Sequence, residues 1–294
     1  MIARRESGLR WGVDTWVLIA YPVEVAAEMI QGAGFGSLEY CYEHFVDGND
    51  NRTIGERVRA LADLSSTLSI EPSQMHAPYG ELDRELASSN EGTRAKGIET
   101  AKEWLHRAVT LGVRVLVFHT ALDLSEVVSS TEEYVNHSKS VNRDVFTAIG
   151  RMGGDLGVRV AIENRLERIF GSRPKDLLEI VSADPDNLGV CLDTGHANFN
   201  HLDCGSFVEE LGSRLWATHI HDNDRRSDQH LIPYMGSVDW NGFFRALERV
   251  QYKGAAILEI PGDKADERLC ANRLELVGEM FSEGRAQGTS GPNP

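Results

Sequence analysis

A chain of 294 residues can bury a large core and has a normal length for one α/β barrel. With 41% hydrophobic and 26% charged residues it has an ordinary globular composition, no apolar run approaches the ~20 residues that cross a bilayer, and a formal net charge of −15 counts against nucleic acid as a partner. The four cysteines form no C-x-x-C pair, which fits a reducing cytosol, and the N-terminal MIARRESGLRWGVD has no apolar stretch of the kind a signal peptide needs.

From the start of the chain, strand-like and helix-like runs alternate. Leu9–Trp16 reads as a strand, and Pro22–Gly34 as a helix opened by proline and closed by glycine. Ser37–Tyr42 is a second strand, followed by a helix over Thr53–Ser69 with apolar residues at helical spacing. Ile70–Tyr79 carries the third strand into MHAPY. A long amphipathic helix over Glu91–Leu111 leads to the strand Val113–His119, and a helix over Glu132–Leu156 leads to the strand Val158–Asn164. The second half continues with a helix over Pro174–Ser182, the strand Leu188–Thr194 and a short helix over Ser206–Leu211. The strand Leu215–His221, the helix Trp240–Val250, the strand Gly254–Pro261 and a closing helix Asp266–Ser282 complete the series. Strands with near-continuous apolar runs, each followed by a helix, predict a single-domain (β/α)₈ barrel over residues 1–284. No G-x-G-x-x-G follows the first strand, which argues against a doubly wound sheet. The last ten residues, 285–294, are polar and rich in Gly and Pro and read as a disordered tail.

In such a barrel the chemistry lies at the C-terminal ends of the strands. Strand 2 ends with Glu39, strand 3 with His76, strand 4 with His119 and strand 5 with Glu163 and Asn164. Asp193 ends strand 6, with His196 three residues on. His219 and His221 end strand 7, whose loop adds Asp222, Asp224, Asp228 and His230, and Glu259 ends strand 8. A lone His at a strand end is more often a satisfied core or loop residue than a ligand. Repetition over strands 3 to 8 is not explained that way. So many acids in one low-dielectric mouth would be costly without a cation, and imidazole and carboxylate suit a divalent metal.

The motifs MHAPY, VFHT, IENR, LDTGHAN, HIHDND, DQHLIPYMGSVDW and ILEI resemble those of the xylose-isomerase-like barrel superfamily. The resemblance runs from strand 1 to strand 8, and its D-T-G-H and H-x-H-D-N pieces are fairly specific. That superfamily holds the sugar phosphate isomerases and epimerases and the type IV apurinic/apyrimidinic endonucleases. The isomerase branch implies one divalent ion, Mn²⁺, Co²⁺ or Zn²⁺, held by Glu163, Asp193, His219 and Glu259. Glu163 and Glu259 would also be the catalytic acid/base pair acting through an enediolate on a keto-sugar or sugar phosphate, with His196 and Arg225 on substrate oxygens. His76 and His119 are further candidates for substrate binding. The nuclease branch implies three zinc ions, held by His76, His119 and Glu163, by Glu163, Asp193, His219 and Glu259, and by His196, Asp228 and His230.

RLERIFGSRPKDLLEIV after IEN is similar to the isomerase branch. So is HLIPYMGSVDW, although Tyr234 and Met235 replace that branch's usual Gly-Glu. Arg165, Arg168, Arg225 and Arg226 offer a hold on a substrate phosphate or carboxylate, with solvation the commoner fate for Arg168 and Arg226. Trp11, Trp16 and Phe118 are read as core before sugar-stacking surfaces. Asp239 is read as an N-cap, and Trp240 as packing. The resulting expectation is a cytoplasmic metal-dependent isomerase or epimerase of a small-molecule sugar, with no membrane partner; a trinuclear-zinc phosphodiesterase or a keto-sugar lyase, dehydratase or hydrolase is the alternative. A binding barrel without catalysis ranks last, because both glutamates are present. The resemblance also implies a homo-oligomer, as many relatives are dimers or tetramers.

Overall fold

Eight strands stand where the apolar runs predict them in the computed structural model, which describes residues 9–47, 51–65, 67–123 and 132–282. They are β1 (Arg10–Asp14), β2 (Ser37–Tyr40), β3 (Glu71–His76), β4 (Val115–His119), β5 (Arg159–Glu163), β6 (Leu188–Asp193), β7 (Leu215–Ile220) and β8 (Ala255–Leu258). Each pairs in parallel with the next, and β8 closes on β1 from Arg10↔Ala255 to Val13↔Leu258, making a (β/α)₈ barrel.

The helices are α1 (Val23–Gly32), α2 (Glu43–Val46), α3 (Ile54–Ser65), α4 (Glu81–Ala87), α5 (Glu91–Thr110), α6 (Glu132–Leu156), α7 (Pro174–Val181), α8 (Thr194–Phe199), α9 (Cys204–Leu211), α10 (Trp240–Arg249) and α11 (Glu267–Phe281). Their apolar stripes cover the outer face of the sheet; α1, for example, buries Val23, Ala26, Ala27 and Ile30. The punctuation is chemical. Pro174 opens α7, and Gly157 closes α6 at a φ of 74° that a side chain would resist. Asp239 caps α10 as expected, its Oδ1 accepting from the Gly242 N–H at 3.0 Å.

Several elements end earlier than the sequence predicts. β1 stops at Asp14 because that carboxylate accepts from the Trp16 N–H at 2.6 Å and starts a 3₁₀ turn over Thr15–Leu18. β3 stops at His76 because Pro78 has no N–H with which to continue the ladder. The short helices α2, α4 and α8 are not in the predicted series. Inside the barrel, Val115, Val117, Ala161, Cys191 and Ala217 form an apolar plug. The four cysteines are buried and free. Among the described residues no helix is long and apolar enough to cross a membrane. The predicted tail over 285–294 lies outside the described residues.

Candidate active site and metal centre

Strand alternation builds the site directly on the plug. Side chains two apart share a face, so Ala161 of the plug is followed by Glu163 on β5, Cys191 by Asp193 on β6, and Ala217 by His219 at the end of β7. His221 continues that series one step beyond the strand. Glu259 follows β8, its N–H donating to the Ile220 carbonyl at 3.2 Å.

Glu163, only 2% exposed, is the hub. Its Oε2 lies 3.0 Å from His76 Nε2, 3.4 Å from His119 Nε2 and 3.4 Å from His219 Nδ1, and its Oε1 lies 3.2 Å from His196 Nδ1. Asp193 divides its two oxygens. Oδ1 accepts from the His196 N–H at 2.6 Å and caps α8, and Oδ2 lies 3.0 Å from His221 Nε2. Glu259 Oε2 lies 3.6 Å from His219 Nδ1 and 3.9 Å from His221 Nε2. Behind them Glu39 lies 3.1 Å from His219 Nε2 and accepts from Gln74 Nε2 at 2.6 Å, so the Nδ1 edge of His219 is turned to the centre. The loop after β7 adds Asp228 Oδ2, which is 3.0 Å from His230 Nε2 and 3.5 Å from His196 Nε2.

The arrangement fits a cation. His219 Nδ1, His221 Nδ1, Asp228 Oδ1 and Glu259 Oε2 are buried and make no hydrogen bond, which is costly unless something else satisfies them. Ligating atoms lie within 4.8 Å of one another in Asp193–His219–Glu259, His76–Glu163–His219, Glu163–Asp193–His196 and His221–His230–Glu259. Such nitrogen and oxygen donors suit Zn²⁺, Mn²⁺ or Co²⁺. Protonation tells the same story. Burial drives Glu259 well above the usual carboxylate range; His219 and His230 oppose that rise, and Asp193 and Glu163 add to it. Burial also resists charge on His119 and His230, yet carboxylates hold both imidazoles up at about 9: Glu163 and Asp83 for the first, Asp228 and Glu259 for the second. Asp193 is held down at about 2 against burial by His196 and His221. The cluster shares protons among its carboxylates and imidazoles, a role that a divalent ion would take over.

Above the centre opens a cavity of about 200 Å³ lined by His76, His119, Glu163, His196, Asp228, His230 and Glu259, with Asp14, Trp16, Cys41, Glu43 and Tyr79 completing the wall. The structure thus brings together His76, His119, Glu163, Asp193, His196, His219, Asp228, His230 and Glu259. Arg225 is not among the lining residues; its Nε donates to Asn198 Oδ1 at 2.9 Å. Arg165 is occupied by Asp83, at 2.9 Å, and by Glu167, and Arg168 lies over the Phe199 ring. Trp11 and Phe118 are core, whereas Trp16 reaches the cavity edge-on to His230.

Residues with no role assigned from the sequence also belong here. His221 is the second His of H-x-H, and alternation alone would have placed it beside His219. Asp83, 3.4 Å from His119 Nδ1, sits on α4 and carries no sequence signal, whereas Tyr79, which stacks on His119, is the last residue of MHAPY.

A family model described as Xylose isomerase-like TIM barrel matches residues 27–280. An uncharacterized protein of Methanocaldococcus jannaschii is 26% identical over 94% of this chain and 92% of its own. A D-psicose 3-epimerase of Agrobacterium fabrum is 24% identical over 79% of this chain and 77% of its own. A probable endonuclease 4 of Thermoplasma acidophilum is 27% identical over 58% of this chain and 60% of its own. Among solved structures, a D-tagatose 3-epimerase-like protein superposes with a TM-score of 0.73 at 25% identity over 92% of this chain and 96% of that one. The IOLI protein, solved with a zinc atom, gives 0.76 at 17% identity over 94% of this chain and 98% of that one, a likeness of fold.

Proposed function

The chain belongs to the xylose isomerase-like TIM barrel family, and on that premise we propose that it is a divalent-metal-dependent epimerase or isomerase of an unphosphorylated keto-sugar. One observation carries the reading. Glu163 and Glu259 approach the Nδ1 edge of one imidazole, His219, at 3.4 and 3.6 Å, at the base of a cavity of about 200 Å³ with no Lys or Arg among its described lining residues. That space suits a small polyol, and the described wall holds no Lys or Arg to pair with a phosphate. The epimerase titles among the relatives and solved structures support the same substrate class.

Glu163, Asp193, His219 and Glu259 would hold the ion, which when bound supplies Lewis-acid stabilisation of charge developing on the substrate oxygens. One glutamate takes the proton from the carbon beside the carbonyl, and the C–H electrons form a C=C bond as the carbonyl oxygen gains charge. The other returns a proton to the opposite face of that carbon, inverting it; removal at the terminal hydroxymethyl carbon instead, with the proton returned to the former carbonyl carbon and the hydroxyl proton passed to its oxygen, would interconvert ketose and aldose. His76, His119 and His196 line the cavity and would orient hydroxyls. Arg225, anchored on Asn198, would contribute its remaining donors from the rim.

A second reading, a trinuclear-zinc phosphodiesterase, draws on the convergence of Asp228 with His196 and His230. It also requires His119 and Asp228 as ligands, and neither belongs to a compact donor group among the described residues. The test is metal content by mass spectrometry on protein purified without added metal, followed by incubation with ketoses in D₂O. The expected result is about one divalent ion per chain, and deuterium entering the carbon beside the carbonyl. Glu163→Gln should abolish that exchange with an unchanged far-UV circular dichroism spectrum. Full activity in the variant would sink the mechanism, and about three zinc ions without exchange would favour phosphodiester cleavage.

A further inference from the structure

At the end of the barrel where the strands begin lies a second cavity, of about 560 Å³. Its charged lining comes from strand starts and lead-ins: Arg10 on β1, Glu71 on β3, Arg114 before β4, Arg159 on β5 and Lys253 before β8. Among the described residues four cations thus face one carboxylate, on a chain whose formal net charge is −15. Glu71 is shared between Arg10 and Arg114, whose Nε lies 3.0 Å from it. Arg10 Nε is buried and makes no hydrogen bond. Arg159 lays its guanidinium over the Trp216 ring at 5.1 Å, and that ring is fixed in turn, because Gly189 leaves room for it where a Cβ would lie 2.1 Å away. A stacked guanidinium keeps its in-plane N–H donors free. Among the described residues neither Arg159 nor Lys253 meets a carboxylate.

We propose that this well binds a compact anion carrying two or more negative charges, a phosphate or a small polycarboxylate. Cations gathered in a concavity repel one another, and its low-dielectric walls focus their field on whatever anion enters. An occupant would tie together the starts of β1, β3, β4 and β5 and the segment leading into β8. It would therefore act on the stability of the barrel, whose chemistry lies at the other end.

Isothermal titration of the full, metal-loaded protein with inorganic phosphate and, separately, with tricarballylate tests the proposal at constant ionic strength. At least one of the two should bind saturably, with affinity at least about tenfold lower in the double variant Arg159→Ala, Lys253→Ala. Both side chains are exposed, so the variant should melt like the parent without anion. A site that takes phosphate alone is a phosphoryl site, and one that takes tricarballylate is a polycarboxylate site. No saturable binding of either, or equal affinity in parent and variant, overturns the proposal.

Discussion

Gly195 occupies a position where the candidate metal centre has no room for a side chain. A Cβ there would lie 1.8 Å from His221 Cε1, and the ring it would displace is held 3.0 Å from Asp193. Within D-T-G-H, then, one residue supplies a carboxylate, one supplies space and one supplies an imidazole. Gly195→Ala should push His221 aside and weaken divalent-metal binding by at least about tenfold, read by competition with a chromophoric chelator, with unchanged far-UV circular dichroism. Unaltered affinity would mean that His221 does not support the centre. The carboxylate and the imidazole of that motif are legible in the sequence, because their chemistry is specific. The need for glycine is not, because it depends on where the register of β7 puts a ring 26 residues away.

The segment between β7 and α10 has almost no regular structure, and Asp222 ties its two ends together while Asn198 holds Asn223 and Ser237. The fully buried carboxylate of Asp222 accepts from the N–H groups of Asn223, Ser237 and Val238 and from Trp240 Nε1, at 2.8–3.1 Å. Its backbone exchanges two further bonds with Leu231. This clasp lets Arg225, His230 and Tyr234 keep left-handed φ values of 69°, 45° and 74°, which side chains resist. Asp222→Ala leaves the donors of Asn223, Val238 and Trp240 buried and without this acceptor. It should lower stability by about 3 kcal/mol in urea unfolding and weaken metal binding through His230. Loss of less than about 1 kcal/mol would show that water replaces the carboxylate. Elements are legible here in proportion to length. The strands and the longer helices announce themselves by apolar period and by Pro or Gly at their ends, whereas α2, α4 and α8, of four, seven and six residues, are too short for a period to emerge. α4 carries Asp83, so the carboxylate behind His119 stays hidden with it.

Across the whole molecule, carboxylates and imidazoles meet at one rim around a barrel that must still close. Alternation of strands and helices makes that closure legible. Less so are the irregularities in pairing between Leu38 and Glu39 and between Val190 and Cys191, which place Glu39 behind His219 and align Asp193 with it. An ion that binds only the closed barrel must stabilise it. At a free concentration 100-fold above its dissociation constant the gain is about 3 kcal/mol, so chelation should lower the melting temperature and Mn²⁺, Co²⁺ or Zn²⁺ restore it. A melting temperature indifferent to chelator would remove the ion from the folded state. The order in which the chain is written adds a consequence of its own. Glu163, Asp193, His219 and Glu259 all lie in the second half, the last of them one residue beyond the strand that seals the barrel. During vectorial synthesis the growing polypeptide therefore displays acids and imidazoles for most of its passage without a complete set to seize an ion. Filling that four-residue site would become one of the last acts of maturation, and a translation product truncated before β8 would lack both the seal and the complete set.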